Sequence, residues 1–442
     1  MRIQLSDHFT YGRLFRFTFP SIIMMVFTSI YSVVDGFFIS NYVGKVPFAA
    51  LNLVMPLFII LGSVGFMLGS GGNAIVARTL GEGDRSKANR YFSFLVLACM
   101  GLGLLVFLVG FASLSPIARF LGASGEILGN SVLYGRIVLC GMPFFMLQNL
   151  FQSFCITAER PKLGLAFTVA SGLANMILDA LFVAVFKWGL AGAAWATVIS
   201  EVVGGLGPVF YFLRPNASLL RLGRTRWYGR VLLQSCFNGS SELMSNIAAS
   251  IVSVLYNWQL LSYAGPDGVA AYGVLMYISF FFSAMFIGYA VGVSPVVGFH
   301  YGAGNKKELK NLLHRSFLLI GVSGICMWAL ASLSAPSLCR VFVGYDENLY
   351  RMTVGALRIH AFCFLLGGFN IFTSSFFTAL NNGGVSALVS FLRTLVFETG
   401  SVELLPLALG LNGIWAATVI AESAALTVSL LCLFWQRPRY GY

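Results

Sequence analysis

Acidic side chains lie inside three of the long, mostly apolar runs of this sequence. Asp35 lies in YSVVDGFFIS, Asp179 lies in SGLANMILDALFVAVFK (171–187), and Glu242 lies in NGSSELMSN. An ionised carboxylate at the centre of a membrane helix costs roughly 2.5–3.5 kcal/mol on insertion scales, so such residues normally face a bundle interior or a water-filled cavity. The three acids are therefore candidates for binding a proton, a metal cation or a cationic ligand.

Asp179 belongs to a row of polar residues. Its polar neighbours recur at steps of three to four residues and are Thr168, Ser171 and Asn175. This spacing places them with Asp179 on one face of a helix. Ser, Thr and Asn in membrane helices often do no more than hold helices together by hydrogen bonds. A carboxylate four residues from an amide favours a binding site, because helix association does not require an ionisable group.

Two kinds of cation chemistry fit these residues. Two carboxylates that share a desolvated site cannot both ionise easily, so such a pair could take up and release a proton. Carboxylate, amide and hydroxyl oxygens also suit a hard cation such as Na⁺. The residue types leave the choice between H⁺ and Na⁺ open.

The elements that must position these acids are membrane-spanning helices. Of the 442 residues, 58% are hydrophobic and only 10% are charged, which is not the composition of a soluble domain of this size. Apolar runs of about 20 residues, long enough to cross a ~30 Å hydrocarbon core, recur twelve times. They are 14–41, 47–72, 91–113, 132–157, 163–186, 190–212, 231–262, 269–297, 316–338, 353–380, 384–409 and 412–435.

Lys and Arg residues are distributed unevenly between the two sides of these spans. Twenty of them fall on the side of the two termini and seven on the other side, while Arg393 falls inside a span. By the positive-inside rule both termini are cytoplasmic. The sequence therefore predicts a multi-pass protein of the cell (cytoplasmic) membrane.

The two halves of the chain repeat each other at an offset of 221 residues. Residues 190–201 (LAGAAWATVISE) and 411–422 (LNGIWAATVIAE) are identical at seven of twelve positions. Six spans return the chain to its starting side, so the halves form a parallel repeat about an axis along the membrane normal. We predict an N-lobe at 1–212, a basic cytoplasmic connector at 213–230 that lies on anionic headgroups, and a C-lobe at 231–442.

The chain resembles the MATE (multidrug and toxic compound extrusion) family over its whole length, and within it the MepA-like branch. The resemblance rests on Pro20 and Asp35, GEGD at 81–84, GMPF at 141–144, Asn175 with Asp179, GLAGAAWAT at 189–197 and LRTLVFE at 392–398. It implies an all-α integral membrane protein with twelve transmembrane helices in two pseudo-symmetric six-helix lobes that form a V. It also implies a secondary active transporter that exports lipophilic cationic drugs in antiport with H⁺ or Na⁺.

The resemblance assigns roles to residues of the N-lobe. The implied cation-coupling residues, which are also the candidate Na⁺ ligands, are Asp35, Asn175, Asp179 and Thr197. The implied supporting polar groups are Tyr31, Tyr134 and Gln152. Pro20 is the expected hinge of the first span, because proline removes one backbone hydrogen bond from a helix.

The C-lobe lacks the acid that another branch of the family carries in span ten, where this chain has Asn370. The resemblance therefore implies coupling centred on the N-lobe, with Glu242 and Asn370 as substrate contacts. Arg393 either forms an ion pair with Glu398 or acts apart from it. A cavity-facing Arg393 would favour the alternative function, a flippase for lipid-linked saccharides, whose pyrophosphate requires basic side chains.

An enzyme is not expected from this sequence. GEGD at 81–84 and the Tyr345–Asp346 pair match parts of intramembrane aspartyl proteases, but they fall on opposite sides of the membrane. No nucleotide-binding motif is present, so we expect no cofactor beyond the coupling ion. The expected partners are amphipathic or cationic small molecules and the lipid bilayer, with no nucleic acid, and the expected state is a monomer.

Overall fold

The computed structural model describes residues 3–442, without the side chains of residues 32, 33, 35–37, 39–41, 45, 48 and 49. Within that part of the chain there is no β-strand. The helices are α1 (Tyr11–Tyr42), α2 (Lys45–Gly81), α3 (Arg85–Phe120), α4 (Gly125–Thr157), α5 (Pro161–Asp179), α6 (Gly189–Leu213), α7 (Gly229–Gly302), α8 (Lys306–Val343), α9 (Glu347–His360), α10 (Cys363–Ala379), α11 (Gly383–Phe391), α12 (Glu398–Leu409) and α13 (Leu411–Tyr440). Short π-helical turns follow α5 (Ala180–Val185) and α11 (Leu392–Phe397).

The helices account for twelve crossings of a bilayer. In the described chain, 10 helical runs are long and apolar enough to cross, and α9 with α10, bent by 48°, forms an eleventh span. The run α7 has 74 residues and breaks at Gly265, whose φ of 64° is not helical. It therefore supplies two crossings, a first arm (229–264) and a second arm (266–302). The twelve predicted spans are confirmed as helices, and several helices extend beyond the apolar run that predicted them.

The 221-residue repeat is visible in the backbone. Gly44 (φ 108°) directly precedes α2, and Gly265 (φ 64°), 221 residues later, directly precedes the second arm of α7. Gly189 (φ 60°) and Gly410 (φ 58°) are related in the same way and precede the last span of each half. A positive φ at these turns favours glycine, because other residues meet steric strain there. The sequence repeat is therefore a structural repeat.

The lobes meet where α2 packs against the second arm of α7. A Cβ added to Gly81 would overlap the carbonyl oxygen of Phe299, and a Cβ added to Gly302 would overlap the carbonyl oxygen of Arg78. These two contacts are equivalent under the 221-residue offset. Arg78 corresponds to Phe299, and Gly81 corresponds to Gly302. Small residues allow membrane helices to approach this closely. The pseudo-two-fold axis therefore passes through this contact.

The predicted connector, residues 213–230, joins α6 to α7 and lies along the first turns of α3. The Arg85 side chain donates to the carbonyl oxygens of Leu219 (2.9 Å) and Ser218 (2.8 Å). The backbone N–H of Arg221 donates to Asn89 Oδ1 at 2.9 Å. The connector is therefore fixed to the protein by backbone groups.

We expect Gly81→Ala to weaken the lobe contact. The new methyl group would force the two backbones apart, and overpacking of this kind costs about 1–3 kcal/mol. The measurement is the thermal unfolding midpoint in detergent, with Gly302→Ala expected to give a matching loss. Gly101→Ala is the control, because nothing lies within 4 Å of a Cβ built there. An equal effect of Gly81→Ala and Gly101→Ala would contradict the tight contact.

Candidate functional site

The core of the candidate site is the polar face at the end of α5. Asn175 is 3% exposed and Asp179 is fully buried. Asp179 is the last residue of α5, and the π-helical turn Ala180–Val185 follows it directly. π-Helical turns are frequent at functional sites, since the extra residue per turn changes the direction in which side chains project.

Three other helices contact this face of α5. Tyr31 of α1 packs against Gly172 of α5, where an added Cβ would lie 3.1 Å from Tyr31 Cδ1. Ser171 Oγ donates to the carbonyl oxygen of Ser200 in α6 at 2.7 Å and lies 3.5 Å from Gln148 Oε1 of α4. Helices α1, α4 and α6 therefore contact the row of α5 that ends in Asp179.

Two of the predicted residues carry buried amide oxygen atoms without a hydrogen-bond partner in the described chain. Asn175 Oδ1 and Gln152 Oε1 accept no hydrogen bond from any residue that the structure describes. Buried polar atoms are rarely left in that condition. The amide oxygen of Asn175, one helical turn from the carboxyl group of Asp179, fits either a hard cation such as Na⁺ or a proton carried by that carboxyl group. The residues present therefore fit a cation, and the geometry does not distinguish H⁺ from Na⁺.

The other predicted residues of the N-lobe have different surroundings. Thr197 is half-buried in α6 and donates to the carbonyl oxygen of Ala193 at 3.1 Å. Tyr134 is buried, with its ring 6.5 Å from that of Phe58. The Asp35 side chain lies outside the described part of the structure, so its place in the site remains a prediction.

Pro20 is buried within α1, which continues through it. Its neighbours on α1 contact the second arm of α7, because a Cβ added to Gly288 or Gly292 would lie 2.6 Å from Ile22 Cα and 3.0 Å from Thr18 Cβ respectively. The helix therefore lacks one backbone hydrogen bond close to where the lobes touch.

Glu201 is a buried acid that is not among the predicted site residues and appears above only as part of the sequence repeat. It lies on α6, is 8% exposed, and its Oε2 atom has no hydrogen-bond partner in the described chain. A Cβ added to Gly141, in the GMPF motif, would overlap that oxygen. Its occurrence in an apolar span was the signal that could have identified it.

The repeat partner of Glu201 is Glu422, which is the ion-pair partner of Arg393. Arg393 Nη2 lies 2.6 Å from Glu422 Oε1, and Arg393 Nε donates to the same oxygen at 2.9 Å. Glu398 is not the partner, so that alternative from the sequence is wrong. Glu398 is the nearest acid along the chain, but tertiary packing brings Glu422 of α13 to Arg393.

Asn370 is fully buried beside this ion pair. Its Nδ2 group donates to Glu422 Oε2 at 2.7 Å, and its Oδ1 atom accepts from Ser429 Oγ at 2.8 Å. A substrate contact by Asn370, which stays a prediction, would require it to give up these bonds.

Glu242 lies on the first arm of α7, close to the contact between the lobes. Gly239, three residues earlier, approaches Met67 of α2 so closely that an added Cβ would overlap the Met67 carbonyl oxygen. Residues three apart share a helix face, so Glu242 projects on the side of the first arm that faces the N-lobe. Glu242 is half-buried, and its carboxylate has no hydrogen bond or ion pair with any side chain in the described part of the chain.

Comparison with known proteins relates the whole chain to one family. The family model MatE matches residues 20–181 and 243–399. The multidrug export proteins MepA of Staphylococcus saprophyticus subsp. saprophyticus and of Staphylococcus aureus (strain MSSA476) are each 25% identical to it, over 96% of this chain and 93% of the relative. The solved outward-facing conformation of a multidrug resistance MATE family transporter of the MOP superfamily superposes with a TM-score of 0.92 at 23% identity. That superposition covers 98% of this chain and 97% of the other. The structural likeness establishes the two-lobe, V-shaped fold of twelve transmembrane helices.

Proposed function

Because this chain belongs to the MatE family of membrane transporters, we propose that it is a secondary active multidrug exporter that expels lipophilic cationic molecules in antiport with H⁺ or Na⁺. The names of the MepA relatives support multidrug export. The observation that carries the antiport is the fully buried Asp179 beside Asn175, whose amide oxygen has no partner in the described chain. A buried carboxylate in this position can be neutralised only by binding a cation, and it regains its charge when that cation is released.

The proposed exchange uses the charge of Asp179. A bound H⁺ or Na⁺ neutralises the carboxylate, which lowers the free energy of keeping it inside the N-lobe. Asn175 and Thr197 would supply neutral oxygens, and Asp35 a second carboxylate. Release of the cation restores a buried charge that favours a different arrangement of α1, whose missing backbone hydrogen bond at Pro20 lowers the cost of bending.

The proposed substrate site involves Glu242. The residue is half-buried and its carboxylate has no counter-charge in the described chain, which suits a cationic substrate bound between the lobes. Phe, Met and Tyr side chains supply apolar and cation–π contacts, which suits flat lipophilic cations better than small hydrophilic ions.

We place both termini in the cytoplasm and the protein in the cytoplasmic membrane, as the distribution of Lys and Arg predicts. Two acids then hold the N-terminal segment at the cytoplasmic end of the two lobes. The backbone N–H of Leu5 donates to Glu159 Oε1 (2.8 Å), and that of Phe9 donates to Glu308 Oε1 (2.9 Å). Opening of the cytoplasmic side, which antiport requires, must break one of these bonds. We propose a monomer as the working unit.

The second candidate function is a flippase for lipid-linked saccharides. It would require basic side chains directed at a pyrophosphate. Arg393, which lies in the π-helical turn after α11, is bound to Glu422, and its charge is thereby neutralised. This contact favours the drug exporter.

The test is ethidium transport in proteoliposomes that contain the purified protein. A pH gradient and a Na⁺ gradient are imposed separately, with protein-free liposomes as the control. We expect ethidium to move against its own gradient under at least one of the two. Absence of movement under both, together with movement of a fluorescent lipid-linked saccharide between leaflets, would establish the flippase.

A further inference from the structure

Three oxygen-bearing side chains meet inside the C-lobe, away from the site in the N-lobe. Thr418 Oγ1 of α13 donates to Glu398 Oε1 of α12 at 3.3 Å, and it lies 2.8 Å from the hydroxyl oxygen of Tyr256 in the first arm of α7. Tyr256 is 3% exposed, and Glu398 is half-buried. The three side chains therefore form one continuous chain of hydrogen bonds.

The repeat relates this chain to the candidate cation site of the N-lobe. At the offset of 221, Tyr256 corresponds to Asp35 and Thr418 corresponds to Thr197. Glu398 lies two residues from Gly400, the counterpart of Asp179. In both lobes the fifth span carries a carboxylate and the sixth span carries a threonine. In the first span of the C-lobe, tyrosine replaces the acid of the N-lobe.

The helix geometry around the two acids is also related. Asp179 directly precedes the π-helical turn Ala180–Val185, and Glu398 directly follows the π-helical turn Leu392–Phe397. A π-helical turn recurs in the corresponding span of each lobe, next to that span's acid. Such turns are uncommon and are associated with functional sites.

The hydrogen-bond donors distinguish Glu398 from its neighbour Glu422. The donors to Glu422 are N–H groups of Arg393 and Asn370, which can only donate, so the Glu422 carboxylate acts only as an acceptor in these bonds. The donor to Glu398 is a hydroxyl group, which can reverse its role. If Glu398 is protonated, it donates to Thr418, and Thr418 donates to Tyr256. The same three side chains therefore accommodate both protonation states of Glu398.

We propose that Glu398, with Thr418 and Tyr256, forms a second proton-binding site, located in the C-lobe. The titratable groups that face it are Arg393, Glu422, Tyr256, Tyr272 and Cys363. One carboxylate and two hydroxyls are few ligands for a hard metal cation, and the nearby guanidinium group of Arg393 also opposes one. The cation taken up is therefore H⁺, which adds to the Glu398 carboxylate from the aqueous phase to give the neutral acid. Its part in transport rests on the proposed function.

The test is infrared difference spectroscopy between acid and neutral pH on the full chain in lipid nanodiscs. We expect Glu398→Gln to remove one titrating carboxyl band, and Asp179→Asn to remove a different one. Glu403→Gln is the matched control, because Glu403 lies on the same helix and accepts from Gln259 at 3.1 Å. Identical difference spectra for the wild-type chain and Glu398→Gln would overturn the proposal.

Thr418→Val provides an independent variant that keeps the carboxyl group. We expect it to retain the band and to shift its titration midpoint, because the reversible donor has been lost. An unchanged midpoint would show that Thr418 does not hold the proton site. The spectra do not depend on transport, so a Glu398 band without gradient-driven ethidium movement would refute the proposed exporter and leave the proton site intact.

Discussion

Asp179→Asn is expected to reduce gradient-driven ethidium efflux to the level of protein-free liposomes. The amide has nearly the same shape as the carboxyl group, so it fits the fully buried position at the end of α5. It cannot ionise, and it therefore cannot exchange a proton or provide the charge that attracts Na⁺. Coupling between the ion gradient and drug movement should be lost, while binding of ethidium, measured by fluorescence anisotropy, should persist.

The matched control for this variant is Asp267→Asn, because Asp267 carries the same chemical group in an exposed position. It should transport ethidium as the wild-type chain does. Asp35→Asn is expected to behave like Asp179→Asn, an expectation that comes from the sequence alone. Full efflux by Asp179→Asn in correctly inserted protein would show that the buried acid of α5 does not couple the ion to the drug.

Much of the architecture could be predicted because the bilayer imposes simple rules on sequence. A span must be apolar over about 20 residues, so composition located all twelve crossings. A buried acid at helical spacing from an amide identified the face of α5 that carries Asn175 and Asp179. The fixed offset of the repeat exposed the pseudo-symmetry, which the glycine turns at Gly44 and Gly265 confirm.

Tertiary partners could not be predicted by these rules. Arg393 pairs with Glu422 across two helices, and neither helical periodicity nor composition records which neighbour a buried charge will meet. Composition does not indicate π-helical turns, so the positions of Asp179 and Glu398 beside such turns could not be predicted. Glu201 and Glu422 occupy equivalent positions of the sequence repeat, but only the packing of the helices shows that Glu422 has an arginine partner.

Arg393→Met is expected to destabilise the C-lobe severely. Removing one partner of a buried ion pair leaves an uncompensated charge and costs about 3–5 kcal/mol. The Glu422 side chain is 9% exposed and would keep only one donor, the Nδ2 group of Asn370. The measurement is the thermal unfolding midpoint of purified protein in detergent. The reference variant is Arg351→Met, which breaks the exposed pair with Glu347 (2.8 Å) and should cost at most about 1 kcal/mol.

The double variant Arg393→Met, Glu422→Leu separates the charge from the packing. If the cost of Arg393→Met comes from the unpaired carboxylate, removal of both charges should recover most of the lost stability, since apolar replacements of buried pairs are often neutral or stabilising. A double variant as unstable as the single variant would show that the aliphatic stem of Arg393 and the Asn370–Glu422 bonds hold the helices together. In that case α10 and α13 would depend on Glu422 as a hydrogen-bond acceptor, and its charge would matter less.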